Sequence, residues 1–198
     1  MKLDWLIGIS ILAGACAQAQ ECRLIVDVRD TGGDEGMADR RQILEGAEAL
    51  ASKMFRGVDV DIRFRSGLGR SKPVANSCGT PILVSLDRSA AGFPVSKGAL
   101  AYAMPFATSG TAIHLFMDRV AGSNGQAFTT IMLAHVMVHE ITHVVEKTGA
   151  HSPEGVMKAH WEHADFEQMK CHPLHFAGKD VEMIHIGLAK YRSAAVTE

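Results

Sequence analysis

Leu24, Val26 and Val28 alternate with Ile25, Asp27 and Arg29, a period of two that predicts a strand over 23 to 29. After the turn TGGDEG, apolar residues recur at helical spacing through Met37, Ile43, Leu44, Ala47, Leu50, Ala51 and Met54, and Gly57 supplies a stop. Alternation returns from 58 to 65, with Val58, Val60, Ile62 and Phe64 on one face and Asp59, Asp61, Arg63 and Arg65 on the other, predicting a second strand. Short apolar runs at 81 to 86, 99 to 104 and 111 to 117, each bounded by Gly, Pro or Ser, predict three more. Ser123-Asn124-Gly125-Gln126 fits a capping box and opens an apolar helix reaching about Thr148. Its apolar residues surround it instead of forming one stripe, as a core helix requires. Five strands with these helices make an α+β sheet protein, and no linker or repeat divides the chain, so residues 20–198 read as a single domain.

Composition narrows the function. The chain has 198 residues and a formal net charge of -2, so it has no basic field for gathering phosphates, and nucleic acid is excluded as a partner. Residues 1–19 read as a signal peptide: a lysine near the start, an apolar run from Trp5 to Ala15, and Ala17-Gln18-Ala19 before a cleavage site near Gln20. That run is about half the roughly 20 residues a spanning helix needs, so stable membrane insertion is not expected and the mature chain is secreted or periplasmic. Cys16 follows an apolar run one residue too long for a lipoprotein cleavage box. The mature chain keeps Cys22, Cys78 and Cys171, which in an oxidising compartment implies one bridge and one leftover thiol, with the pairing open.

The core helix contains His139-Glu140-Ile141-Thr142-His143. Four residues advance a helix by about 400°, which stacks the two imidazoles on one face where they can bind a single ion. Glu140, about 100° round from His139, is placed to reach a metal-bound water instead of ligating. Chance predicts about 0.03 matches to this pattern in such a composition, which favours a site over coincidence. Catalytic zinc takes three protein ligands, so one more comes from downstream. His151 is the leading candidate, because Gly149 can end the helix in a left-handed cap and turn the chain back; Glu162 is the rival.

The segment HEITHVVEKTGAHSPEGVM resembles the metzincin metallopeptidases, whose pattern is HExxHxxGxxH followed by a turn with a methionine beneath the zinc. The likeness covers roughly residues 23 to 161 and extends to the order strand, helix, four strands, long helix. The segment is similar to a group of uncharacterised secreted bacterial proteins with HExxH, seven residues, then His-Ser-Pro-x-Gly-Ile/Val-Met. Two departures stand out: Glu146 occupies the position of the family glycine, and Gly149 that of the third histidine, so the loop to His151 is two residues longer.

The resemblance implies a mixed, twisted five-stranded sheet, a C-terminal helical region, and one catalytic Zn²⁺ held by His139, His143 and His151. It implies Glu140 as general base and Met157 as an apolar floor under the imidazoles. The 99 to 104 strand would be an antiparallel edge that holds a peptide or protein substrate. A zinc-stabilised binding or structural domain, its fourth position closed by His160 or Glu162, is the alternative, and hydrolysis of a non-peptide amide or ester is a third reading.

His135, one turn before His139, is assigned to packing or support. His160, His163, His172 and His175 are scattered solvent histidines. Tyr102 and Tyr191 are oxyanion donors by residue type alone. Gly67-Leu68-Gly69-Arg70 opens no helix and is no phosphate loop, and the absence of Gly-x-Ser-x-Gly leaves a serine hydrolase without its usual trace.

Overall fold

The computed structural model describes residues 23–33, 36–66, 76–107, 112–121 and 125–195. The signal-peptide segment, Cys22, the Gly67 to Arg70 loop and the Ser123-Asn124 capping residues lie outside them. The elements run β1 (Leu24–Asp30), α1 (Met37–Arg56), β2 (Ile62–Ser66), β3 (Ile82–Asp87), β4 (Ala101–Ala103), β5 (Ile113–Phe116), α2 (Met117–Val120), α3 (Gly125–Glu146), α4 (His163–Cys171) and α5 (Gly178–Ala195).

The five strands form one mixed sheet in the order β2-β1-β3-β5-β4. All neighbours are parallel except β4, which pairs antiparallel with β5 and forms an edge, with Ala101 opposite Leu115 and Ala103 opposite Ile113. Alternation decides which face is dry. Leu24, Val26, Val28, Ile82, Val84, Leu86, Ile113 and Leu115 join the apolar cluster that α1 and α3 complete. The opposite face carries polar pairs: Arg65 Nε donates to Asp27 at 2.5 Å, while Ser85 and His114 both contact Asp87, at 2.9 and 2.7 Å. Ser85, Asp87 and His114 form no nucleophilic triad, because the serine and the imidazole each contact the carboxylate instead of each other.

The second strand starts four residues later than the alternation at 58 to 65 predicts. Val58 and Val60 both donate backbone N–H to Phe55 O, and Asp59 has φ 59°, so the segment after α1 is a tight turn. Val60 is buried all the same, which is why its apolar period mimics a strand.

α3 is long and apolar enough to cross a bilayer, but most of it is buried within the fold. Its burial follows from contact with α1, with β4 and β5, and with α5. At Gly187 the α3–α5 contact is so close that an added Cβ would lie 2.1 Å from Val145 O. Cys78 is disulfide-bonded and Cys171 is free and exposed, which excludes the pairings that use Cys171; the partner of Cys78 lies outside the described residues.

Candidate metal centre

Helix periodicity puts His139 and His143 on one face of α3, and the structure brings His151 to the same point. The ligating atoms of the three side chains all lie within 4.8 Å of one another. The Nε2 atoms of His139 and His143 are 3.0 Å apart. His139 Nδ1 lies 2.9 Å from Val156 O and donates its proton there, which fixes the tautomer with the Nε2 lone pair turned inward. With its proton on Nε2, His143 donates a hydrogen bond to the His139 lone pair; with its proton on Nδ1, both lone pairs turn inward and would share a cation. Nitrogen atoms bound to one tetrahedral zinc at about 2.05 Å sit about 3.3 Å apart, so this donor set fits a metal ion.

Electrostatics agrees with the geometry. Burial holds both His139 and His143 down to about 4, and the neighbouring imidazoles reinforce the effect. Burial, followed by the proximity of His160, lowers His151 as well. His139 and His143 therefore stay neutral, the form a metal needs, well below the pH at which free imidazole would protonate, and the shift at His151 has the same direction. Burial pushes Glu140 up to about 7.

Helix α3 ends differently from the sequence expectation. The left-handed residue is Lys147, φ 56°, and Gly149 is not in that region. Thr148 N–H closes the terminus by donating to His143 O at 3.2 Å, the six-to-one bond of a Schellman end. Lys147, whose Nζ sits 5.4 Å over the Tyr191 ring, takes the position a glycine would fill more cheaply.

From there the chain returns through His151 to a second turn, and contacts from α5 and the segment before it set this path. Ser152 Oγ donates to Asp180 Oδ1, Ser152 N donates to Met157 O at 2.9 Å, and Val156 N donates to His175 O at 2.8 Å. Met157 is 1% exposed and belongs to the apolar core. Replacing Ser152 with Ala removes a charge-assisted bond at the base of the His151 loop. The expected cost is about 2 kcal/mol, a Tm fall on the order of 5 °C for a chain of this size, with weaker metal binding. Thermal melts and chelator competition on the variant would check both; an unchanged metal affinity would show that the loop holds His151 without this tether.

Other candidates fall away from the centre. Glu162 caps α4 in a box with Asp165, and its side chain is 79% exposed. His135 lies 2.7 Å from Ile131 O and accepts from Leu174 N at 3.1 Å, so both its nitrogens are occupied in joining α3 to the segment before α5. His163, His172 and His175 are exposed. Tyr102 lies opposite His114 in register, on the far face of the sheet, and Tyr191 packs near Lys147. Trp161 has no counterpart in the sequence reading. It packs edge-on to His139 at 5.8 Å and to His135 at 6.2 Å, and no periodicity or motif announces it.

A cleft of about 420 Å³ opens over the centre, walled by Leu100 and Ala101 at β4, by Val136, His139 and Glu140 of α3, and by His151, Trp161 and Phe166. No protein-family profile matches the chain, and no curated protein matches it in sequence. Solved structures do match, among them the crystal structure of archaemetzincin from Methanopyrus kandleri, at 13% identity and a TM-score of 0.50. The match covers 88% of this chain and 99% of that one. The chain shares the archaemetzincin fold. Within that fold, the imidazole trio on α3 and the returning loop could hold a metal ion.

Proposed function

We propose that this chain is a secreted zinc metallopeptidase of metzincin type. The observation that carries the reading is the convergence of His139, His143 and His151 beside the buried Glu140, in a cleft whose opposite wall is the edge strand β4. His139, His143 and His151 would hold the zinc, which would supply Lewis acidity to the attacking water and the scissile carbonyl. Glu140, held in the same cleft, accepts the proton of the attacking water and returns it to the leaving amine. Burial raises its pKa in the metal-free site, so the carboxylate is a stronger base there than an exposed glutamate. The free edge of β4 offers main-chain donors and acceptors to an extended peptide, which would add as a further antiparallel strand. Trp161, Phe166 and Val136 add apolar surface to the same cleft.

A structural zinc site would close its fourth position with a side chain. Among the described residues the cluster has three members, with Glu162 turned to solvent and His160 outside it. Catalysis requires that fourth position to stay open for water, and His160, which lines the same cleft and lies near His151, is the side chain that would close it in a structural site. Metal analysis of the purified mature chain should give one zinc per chain, with affinity falling more than about a hundredfold in His151→Ala and unchanged in Glu162→Ala. The opposite ranking would transfer the third ligand to Glu162. A peptide library and casein serve as substrates: a zinc-loaded parent that cleaves neither, while hydrolysing simple amides or esters, would overturn the peptidase reading.

A further inference from the structure

Two buried polar atoms lie unpaired close to each other in the sequence of α3: His143 Nδ1 and Glu146 Oε1. They belong to residues three apart on one helix, whose side chains are neighbours on its surface. We infer that Glu146 is a positioning residue for the metal ligand His143, its carboxylate accepting the Nδ1 proton once Nε2 is committed to a cation. The inference rests on the zinc-site reading above.

An imidazole that ligates through Nε2 carries its proton on Nδ1, and a buried N–H without an acceptor is costly. His139 meets this requirement through Val156 O. His143 does not. The Thr148 backbone lies near enough to favour the protonated ring, yet Nδ1 makes no hydrogen bond. Asp180 is the other acidic group near both His143 and Glu146. Its two oxygens already accept from Ser152 Oγ and from Ala177 N. Glu146 Oε1 is the buried side-chain oxygen on this stretch of α3 that has no partner of its own, one turn of helix from the ring. Burial and Asp180 push Glu146 up to about 7, a cost that the positive charge of a bound cation would offset. This residue stands where the resembled family carries glycine, which has no side chain to offer, so the device belongs to this chain.

The test compares zinc affinity by chelator competition with the stability of the metal-free protein, for Glu146→Ala and Glu146→Gln. Glutamine keeps an oxygen for Nδ1–H and should bind zinc within about threefold of the parent, whereas alanine should lose 10- to 100-fold. Metal-free Glu146→Ala should be at least as stable as the parent, because it removes a buried acceptor that has no partner. A merely structural role predicts the reverse: lower stability with zinc affinity kept. Equal zinc binding by alanine and parent would overturn the assignment, as would equal losses in the two variants. A parent that binds no zinc at all would bring down the metal-site reading and this inference with it.

Discussion

Glu140→Gln should lower kcat for peptide hydrolysis by about 10²- to 10⁴-fold while zinc affinity stays within a few-fold of the parent. The amide fills the same space but cannot take a proton from water. The same change should act on the metal-free protein in the opposite sense. Burial raises Glu140 to about 7 in the folded state, above its ordinary value of 4.5. A group raised in this way stabilises the fold below the unfolded value, and that contribution is lost as pH rises through about 7. At neutral pH the parent therefore buries part of a negative charge, and its removal should stabilise the metal-free fold by about 2 kcal/mol.

The two histidines titrate with the contrary sign. His139 and His143 fall from 6.5 to about 4 on burial, so the stability they permit is complete above 6.5 and is lost as pH falls toward 4. In the parent the carboxylate and imidazole trends oppose each other between about 4.5 and 6.5. With Glu140 replaced, the imidazole trend is less masked, and metal-free Glu140→Gln should lose more stability than the parent between pH 6.5 and 4. Urea melts at several pH values, read beside kcat, test the whole argument. A variant that keeps a tenth or more of the parental kcat would remove Glu140 from the proton-transfer role.

The parts of this molecule legible in its sequence are those governed by short-range periodicity. The alternation of Leu24, Val26 and Val28 is imposed by one buried sheet face, and the stacking of His139 over His143 follows from helix pitch alone. Where local and tertiary forces compete, the reading drifts. The apolar residues at 58 and 60 look like strand because Val60 is buried, yet the bonds to Phe55 O make the segment a turn. Gly149 looks like the helix stop because glycine tolerates a left-handed backbone, while Lys147 holds that conformation beside Tyr191, a residue 44 positions on. The approach of His151 could be named only as the better of two candidates. Its loop is placed by Asp180 and by the backbone at His175, partners no local pattern reveals. Glu146 and Trp161 were invisible as functional residues for the same reason: their significance lies in what surrounds them.

Gly155→Ala should be the most disruptive single-methyl change near the site. Gly155 has φ 71°, a region costing an L-residue about 1 kcal/mol, and an added Cβ would lie 2.3 Å from His175 O. That oxygen is fixed by Val156 N at 2.8 Å, so neither backbone can give way without breaking the other's hydrogen bond. The expected destabilisation is about 4 kcal/mol or more, a Tm fall on the order of 10 °C. The consequence for the site follows from Val156, the next residue, whose carbonyl orients His139. Pushing 155 away from 175 turns that carbonyl, frees the His139 ring, and disturbs the packing of the buried Met157. Zinc affinity should therefore fall together with stability, even though residue 155 ligates nothing. Calorimetry and chelator competition on Gly155→Ala separate the two effects. A variant that melts near the parent and binds zinc as tightly would show that the 152 to 157 turn repacks freely, and that the support of His139 by Val156 is dispensable.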